Sequence, residues 1–135
     1  MKKIVHIIVA CVLVASLGAM VSLASESGEM QPHYVALTTI RPEVTISGLK
    51  AVCTDLVKVK QGYSATTTWS FQYQNNRAWV PVASWNQSNQ NPMTLNKTVA
   101  IVSGRTYRLQ TVVTVYNASG VAVETVTKVS NSVRA

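Results

Sequence analysis

Thr66–Trp85, TTTWSFQYQNNRAWVPVASW, holds all three Trp residues and the only Phe of the chain. Thr67, Trp69, Phe71 and Tyr73 alternate with Thr68, Ser70, Gln72 and Gln74, a period-2 pattern that lays large apolar groups on one strand face and polar groups on the other. Asn75-Asn76 supplies two residues that tolerate positive φ, and after Arg77 a second extended run, Ala78–Trp85, returns. The stretch therefore predicts a β-hairpin with Trp69, Phe71 and Tyr73 in a core.

Upstream, Lys2 and Lys3 precede the apolar run Ile4–Leu17, and Ser22-Leu23-Ala24 has the small-x-small form accepted by a signal peptidase. Residues 1–24 read as a signal peptide of an exported, secreted protein. A retained membrane anchor is the competing reading, since the run extends towards Leu23. The Ile8-Val9-Ala10-Cys11 segment has lipobox character but sits too early in the run. Residues 25–35 mix Glu, Gly, Gln and Pro and read as a tether, leaving 36–135 as one domain. The chain ends at Ala135 without an apolar segment, so free secretion is expected rather than covalent wall anchoring.

The whole chain carries a formal charge of +7. Its bases are scattered rather than gathered into the stripe typical of nucleic-acid binders, so no nucleic acid is expected as partner. A general attraction to anionic cell-wall polymers or acidic glycans fits this field, as does ordinary solubility. Beyond the leader only Cys53 remains, so no internal disulfide is available. Cys53 is expected as a buried thiol acting as a small hydrophobe, with intermolecular pairing the alternative.

In the remaining chain, extended runs are expected at 35–40, 44–47, 49–60, 94–102, 106–116 and 121–130. Pro42 marks an edge position or a sheet-switching kink. Ala51, Cys53, Val57 and Val59 share a parity in which Asp55 is out of place, which predicts a bulge around Thr54–Leu56. The polar tract Asn86–Pro92 reads as a loop. Thr106–Tyr116 has the cleanest alternation, with Tyr107, Leu109, Thr111, Val113 and Val115 on one face. About seven short strands separated by turn signals predict an all-β fold, an antiparallel two-sheet sandwich, with a barrel as the alternative.

Tyr107-x-Leu109 followed by Tyr116-Asn117-x-x-Gly120 resembles the penultimate strand and last hairpin of fibronectin type III and immunoglobulin-like domains, and Trp69 resembles the core aromatic of their third strand. The resemblance implies that the Tyr107 hydroxyl bonds back to the backbone upstream. The pattern Gln74…Ala78-Trp79…Val82…Ser84-Trp85, Leu95…Lys97-Thr98, Ser103-Gly104…Thr106-Tyr107-Arg108 and Tyr116…Gly120…Glu124-Thr125 is similar to small exported single-domain proteins of clostridia-like Gram-positive bacteria. It covers about two-thirds of the chain beyond the leader and implies fold and export, without an activity.

Chemistry is sparse. His33 is the one His beyond the leader, and the acids are scattered, so no catalytic triad, metal site, cofactor site or paired-carboxylate arrangement is expected. A Lys97–Asp55 isopeptide bond is conceivable if those strands adjoin, with a salt bridge or two unrelated surface residues as simpler readings. The candidate ligand surface is Trp79, Trp85, Asn86 and Gln87. If Val80 and Val82 point into the core, both Trp rings share the outer face beside an amide-rich loop, a surface suited to a glycan, wall polymer or protein. Otherwise the rings pack beneath that loop. A non-catalytic secreted binding or adhesion module and a self-associating structural protein are the two functional expectations.

Overall fold

The computed structural model describes residues 34–135; the expected signal peptide and most of the expected tether lie outside them. Nine strands follow in order: β1 (Leu37–Ile40), β2 (Glu43–Ser47), β3 (Lys50–Val59), β4 (Ser64–Asn75), β5 (Ala78–Ser88), β6 (Met93–Ala100), β7 (Thr106–Tyr116), β8 (Ala122–Val129) and β9 (Val133–Arg134). They form two antiparallel sheets. In the first, β3 is central, β6 lies on one side, and β1 and β2 share the other as two halves of one edge. The second has the order β5-β4-β7-β8, with β9 continuing the edge along β7.

Pro42 explains the split edge. It cannot donate to a ladder, and Arg41-Pro42 falls where β1 ends opposite Val57 and β2 begins opposite Thr54. The chain kinks there but stays on one sheet. The aromatic hairpin is β4–β5, turning at Asn76-Arg77, with Asn76 at φ 58°. Trp69 and Phe71 are fully buried and Tyr73 packs partly against them. The five alternating residues from Tyr107 to Val115 are all buried. Phe71 and Tyr107 stack with centroids 5.1 Å apart. The Tyr107 hydroxyl accepts the Val102 N–H at 2.8 Å, the upstream backbone bond expected of it.

Asp55 corrects the expectation for β3. No bulge occurs: the register with β6 runs unbroken from Lys50 to Val57, and Asp55 points into the core at 5% exposure. A carboxylate is tolerated there because donors meet both oxygens. Oδ2 accepts from Trp69 Nε1 at 2.8 Å and Thr111 Oγ1 at 2.7 Å, while Oδ1 accepts the Arg41 N–H at 2.8 Å. One side chain thus joins the first sheet to two strands of the second and gives a partner to the backbone donor freed by the kink. The isopeptide reading finds no geometry. Lys97 lies opposite Cys53, Leu95 lies opposite Asp55, and Lys97 is exposed.

A second carboxylate fastens the start of the domain. Glu124 on β8 accepts from the backbone N–H groups of Val35, Ala36 and Leu37 at 2.8–2.9 Å. Tyr34 also packs against the core. Burial raises the Glu124 pKa, but the three N–H bonds and nearby Lys60 outweigh it, and the net shift is downward. A folded-state pKa below the unfolded one contributes stability above the ordinary carboxyl value of about 4.3, lost as pH falls through the folded value. Glu124→Gln should therefore be less stable than wild type by about 1–2 kcal/mol at pH 7 in urea unfolding, the gap closing as pH falls through the lowered folded-state value. A gap that did not shrink with falling pH would contradict the assignment.

Candidate functional site

The four residues singled out in the sequence all lie on β5, an edge strand paired only with β4. A bulge divides them. Phe71 pairs with Ala83 and Gln72 with Pro81, so Val82 is the extra residue, and it stands 41% exposed. An extra residue reverses the alternation of faces. Before it, Trp79 and Pro81 lie opposite Gln74 and Gln72 on the outer face. Beyond it, Trp85 and Gln87 lie opposite Trp69 and Thr67 on the core face, while Asn86 lies opposite Thr68 on the outer face.

The two Trp rings therefore do not form one platform, because Val82 does not point inward. Trp85 packs against the core cluster beside Trp69. Gln87 donates through Nε2 to the Thr94 carbonyl at 3.1 Å and so links β5 to β6 of the other sheet. Gln87 Oε1 and Thr67 Oγ1, on opposed residues, are both buried without a partner. The amide-rich tract is structural as well. β5 continues to Ser88, and Asn91 exchanges two hydrogen bonds with the Val59 backbone at 2.9 and 3.2 Å, imitating a strand residue.

Trp79 remains on the outer face of the second, five-stranded sheet. The Arg108 guanidinium lies 4.1 Å above its ring centroid, and Arg108 Nε donates to Gln72 Oε1 at 2.8 Å. Gln72 in turn donates to Gln110 Oε1 at 2.8 Å and Ser70 Oγ at 3.2 Å. Burial pulls the Arg108 pKa below its ordinary value, although a guanidinium stays charged. Arg108 and Gln72 were absent from the sequence-based candidates. Their outward parity was readable, but the Arg–Trp stack depends on the β5 register.

Further along this face, cross-strand rows carry hydroxyls and amides. Ser88, Thr66, Thr114 and Thr125 form one row across all four strands, and Asn86, Thr68, Val112 and Thr127 form the next. Glu124 is the single acidic residue in these strands, and it lies opposite core-facing Val115. Among the described residues, the outer face consequently presents no side-chain carboxylate.

Elsewhere, Cys53 is buried, and burial pushes its thiol up to about 12, which keeps it from acting as a thiolate near neutrality. A shallow depression of about 260 Å³ at the Pro42 kink is lined by Arg41, Glu43, Thr54, Asp55 and Leu56, a set without a nucleophile–base pair. Among the described residues no group of three His, Cys, Asp or Glu side chains converges to hold a metal.

No protein-family model matches the chain, and neither a curated protein nor a solved structure matches it.

The divided Trp pair gives a direct expectation. Trp85→Ala should cost about 2–3 kcal/mol in urea unfolding because the ring packs on the core, whereas Trp79→Ala should cost less than about 1 kcal/mol. Equal losses would contradict the opposite-face assignment.

Proposed function

We propose that the chain is an exported, non-catalytic binding module of immunoglobulin-like or fibronectin type III-like architecture, acting outside a Gram-positive cell on a glycan or wall polymer. Its binding surface is the outer face of β5-β4-β7-β8. Several features support the architectural part. Taking β1 and β2 as one interrupted strand, the first and second strands share a sheet with β6. The third, penultimate and last strands share the other sheet, with β5 added beside the third, an arrangement found in immunoglobulin-like sandwiches. Trp69 is buried on the third strand, and Tyr107 bonds back to Val102 from the start of the penultimate one.

The observation that carries the binding part is the composition of one open face. Rows rich in hydroxyls and amides, interrupted at Val112 and Val129, end at a half-buried Trp and an Arg, without a carboxylate among the described residues. Directed hydrogen-bonding groups beside an aromatic ring are what recognition of a carbohydrate chain requires.

Self-association through strand edges is the competing reading. Three of the four sheet edges work against it, β8 being the fourth: β5 contains Pro81 and a bulge, β6 exposes Lys97, and the β1/β2 edge is broken at Pro42. These are devices that blunt edge-to-edge pairing.

Trp fluorescence titrated with soluble glycans and wall fragments tests the proposal. A shift that disappears in Trp79→Phe but survives in Trp85→Phe is expected. No shift with any ligand, together with a concentration-dependent increase in mass by light scattering, would favour self-association.

A further inference from the structure

Resting on that reading of the outer face, we infer that its ligand is an acidic polysaccharide, and that Arg108 and Arg134 hold the oxyanion of one repeating unit beside Trp79. The two arginines stand on adjacent strands of that face. Arg134 on β9 lies opposite Thr106, while Val133 lies opposite Tyr107 and packs towards the core, so Arg134 is on the outer face. Arg108, two residues from Thr106 on β7, shares that face. The two are diagonal neighbours, with Cβ atoms roughly 7–8 Å apart, a spacing that long side chains bridge.

Arg108 is held in position before any ligand arrives. The Trp79 ring supports its guanidinium plane, and Gln72 takes its Nε–H, leaving the two terminal nitrogens as a fork. A fixed fork suits a carboxylate or a phosphate oxygen pair, because little side-chain freedom remains to be lost on binding. Arg134 is exposed and supplies the second cation. Among the described residues no acidic side chain on the face competes for either. Asp55 is spent on Trp69, Thr111 and Arg41, and Glu124 on three backbone groups at the core-facing side of β8.

The rest of the face favours a sugar chain over a small anion. From Arg108, the Gln72–Gln110–Ser70 hydrogen-bonded group leads towards the threonine rows, which offer donors and acceptors to sugar hydroxyls along the strands. Oxyanions of two chemical kinds fit the fork, a uronate carboxylate and a backbone phosphodiester.

Isothermal titration of the full chain at low salt with oligogalacturonate, a phosphodiester-linked hexosamine polysaccharide and neutral dextran tests the inference. Binding of one or both acidic polymers, weakening with added salt, is expected, and the stronger of the two identifies the oxyanion. Arg134→Gln, a surface change that leaves the fold intact, and Arg108→Gln should each weaken that binding by roughly ten-fold, a loss of about 1.4 kcal/mol. Lys58→Gln/Lys97→Gln on the other sheet should change it by less than about two-fold. Dextran bound as tightly as the acidic polymers, through Trp79, would overturn the anion subsite while leaving the binding face standing. Equal losses in the Lys58/Lys97 control would reduce the effect to diffuse charge and overturn it too. Absence of binding to all three polymers would overturn both readings.

Discussion

The Asp55 carboxylate sets the terms on which the two sheets meet. It leaves the middle of β3, accepts from the Trp69 indole on β4 and the Thr111 hydroxyl on β7, and also takes the Arg41 N–H at the break between β1 and β2. A buried carboxylate is costly unless donors surround it, and here each donor comes from a different part of the chain. Its three bonds fix the rotamer of the largest core side chain, the lateral position of β7 against β3, and the kink of the edge strand. A hydrogen-bonded side-chain link thus runs between β3 and β7, and the one cysteine nearby, Cys53, is left as a buried hydrophobe.

With the sheets so fixed, local register decides which residues reach the surface. The bulge at Val82 turns Trp85 and Gln87 towards the core and leaves Trp79 and Asn86 outside. Trp85 and the Gln87–Thr94 bond then close the flank between β5 and β6, while Trp79 joins Arg108 and Gln72 on the outer face. The same irregularity, with Pro81 beside it, blunts an edge that would otherwise offer an unpaired strand of 11 residues. Closing the flank and opening the face are thus two consequences of one inserted residue.

The strands themselves were readable because alternation is a strong signal wherever one face is buried. The Tyr107–Val115 alternation and the Trp69, Phe71 and Tyr73 face lie as their period-2 spacing predicts. Asp55 was misread for a physical reason: polarity in a core position looks like a break in pattern, and its donors lie 14 and 56 residues away in sequence. The bulge was expected on β3, where a carboxylate interrupts the parity, and occurs on β5, where uniformly apolar Val80, Pro81, Val82 and Ala83 give no parity to interrupt. The loop expected over Asn86–Pro92 begins only after Ser88, since polar residues on an edge strand satisfy solvent and ladder alike. Arg108 as a site residue needed the cross-strand register, which no local pattern supplies.

A double-mutant cycle on Asp55 and Thr111, read by urea unfolding at pH 7, tests the inter-sheet link most directly. Asp55→Ala should cost about 3–5 kcal/mol, because it strands the Trp69 and Thr111 donors in the core. Thr111→Val should cost about 1–2 kcal/mol in the wild-type background and almost nothing once Asp55 is gone, a coupling of at least about 1 kcal/mol. Additive losses, or an Asp55→Ala domain within about 1 kcal/mol of wild type, would show that hydrophobic packing alone holds the sheets together and would contradict the account.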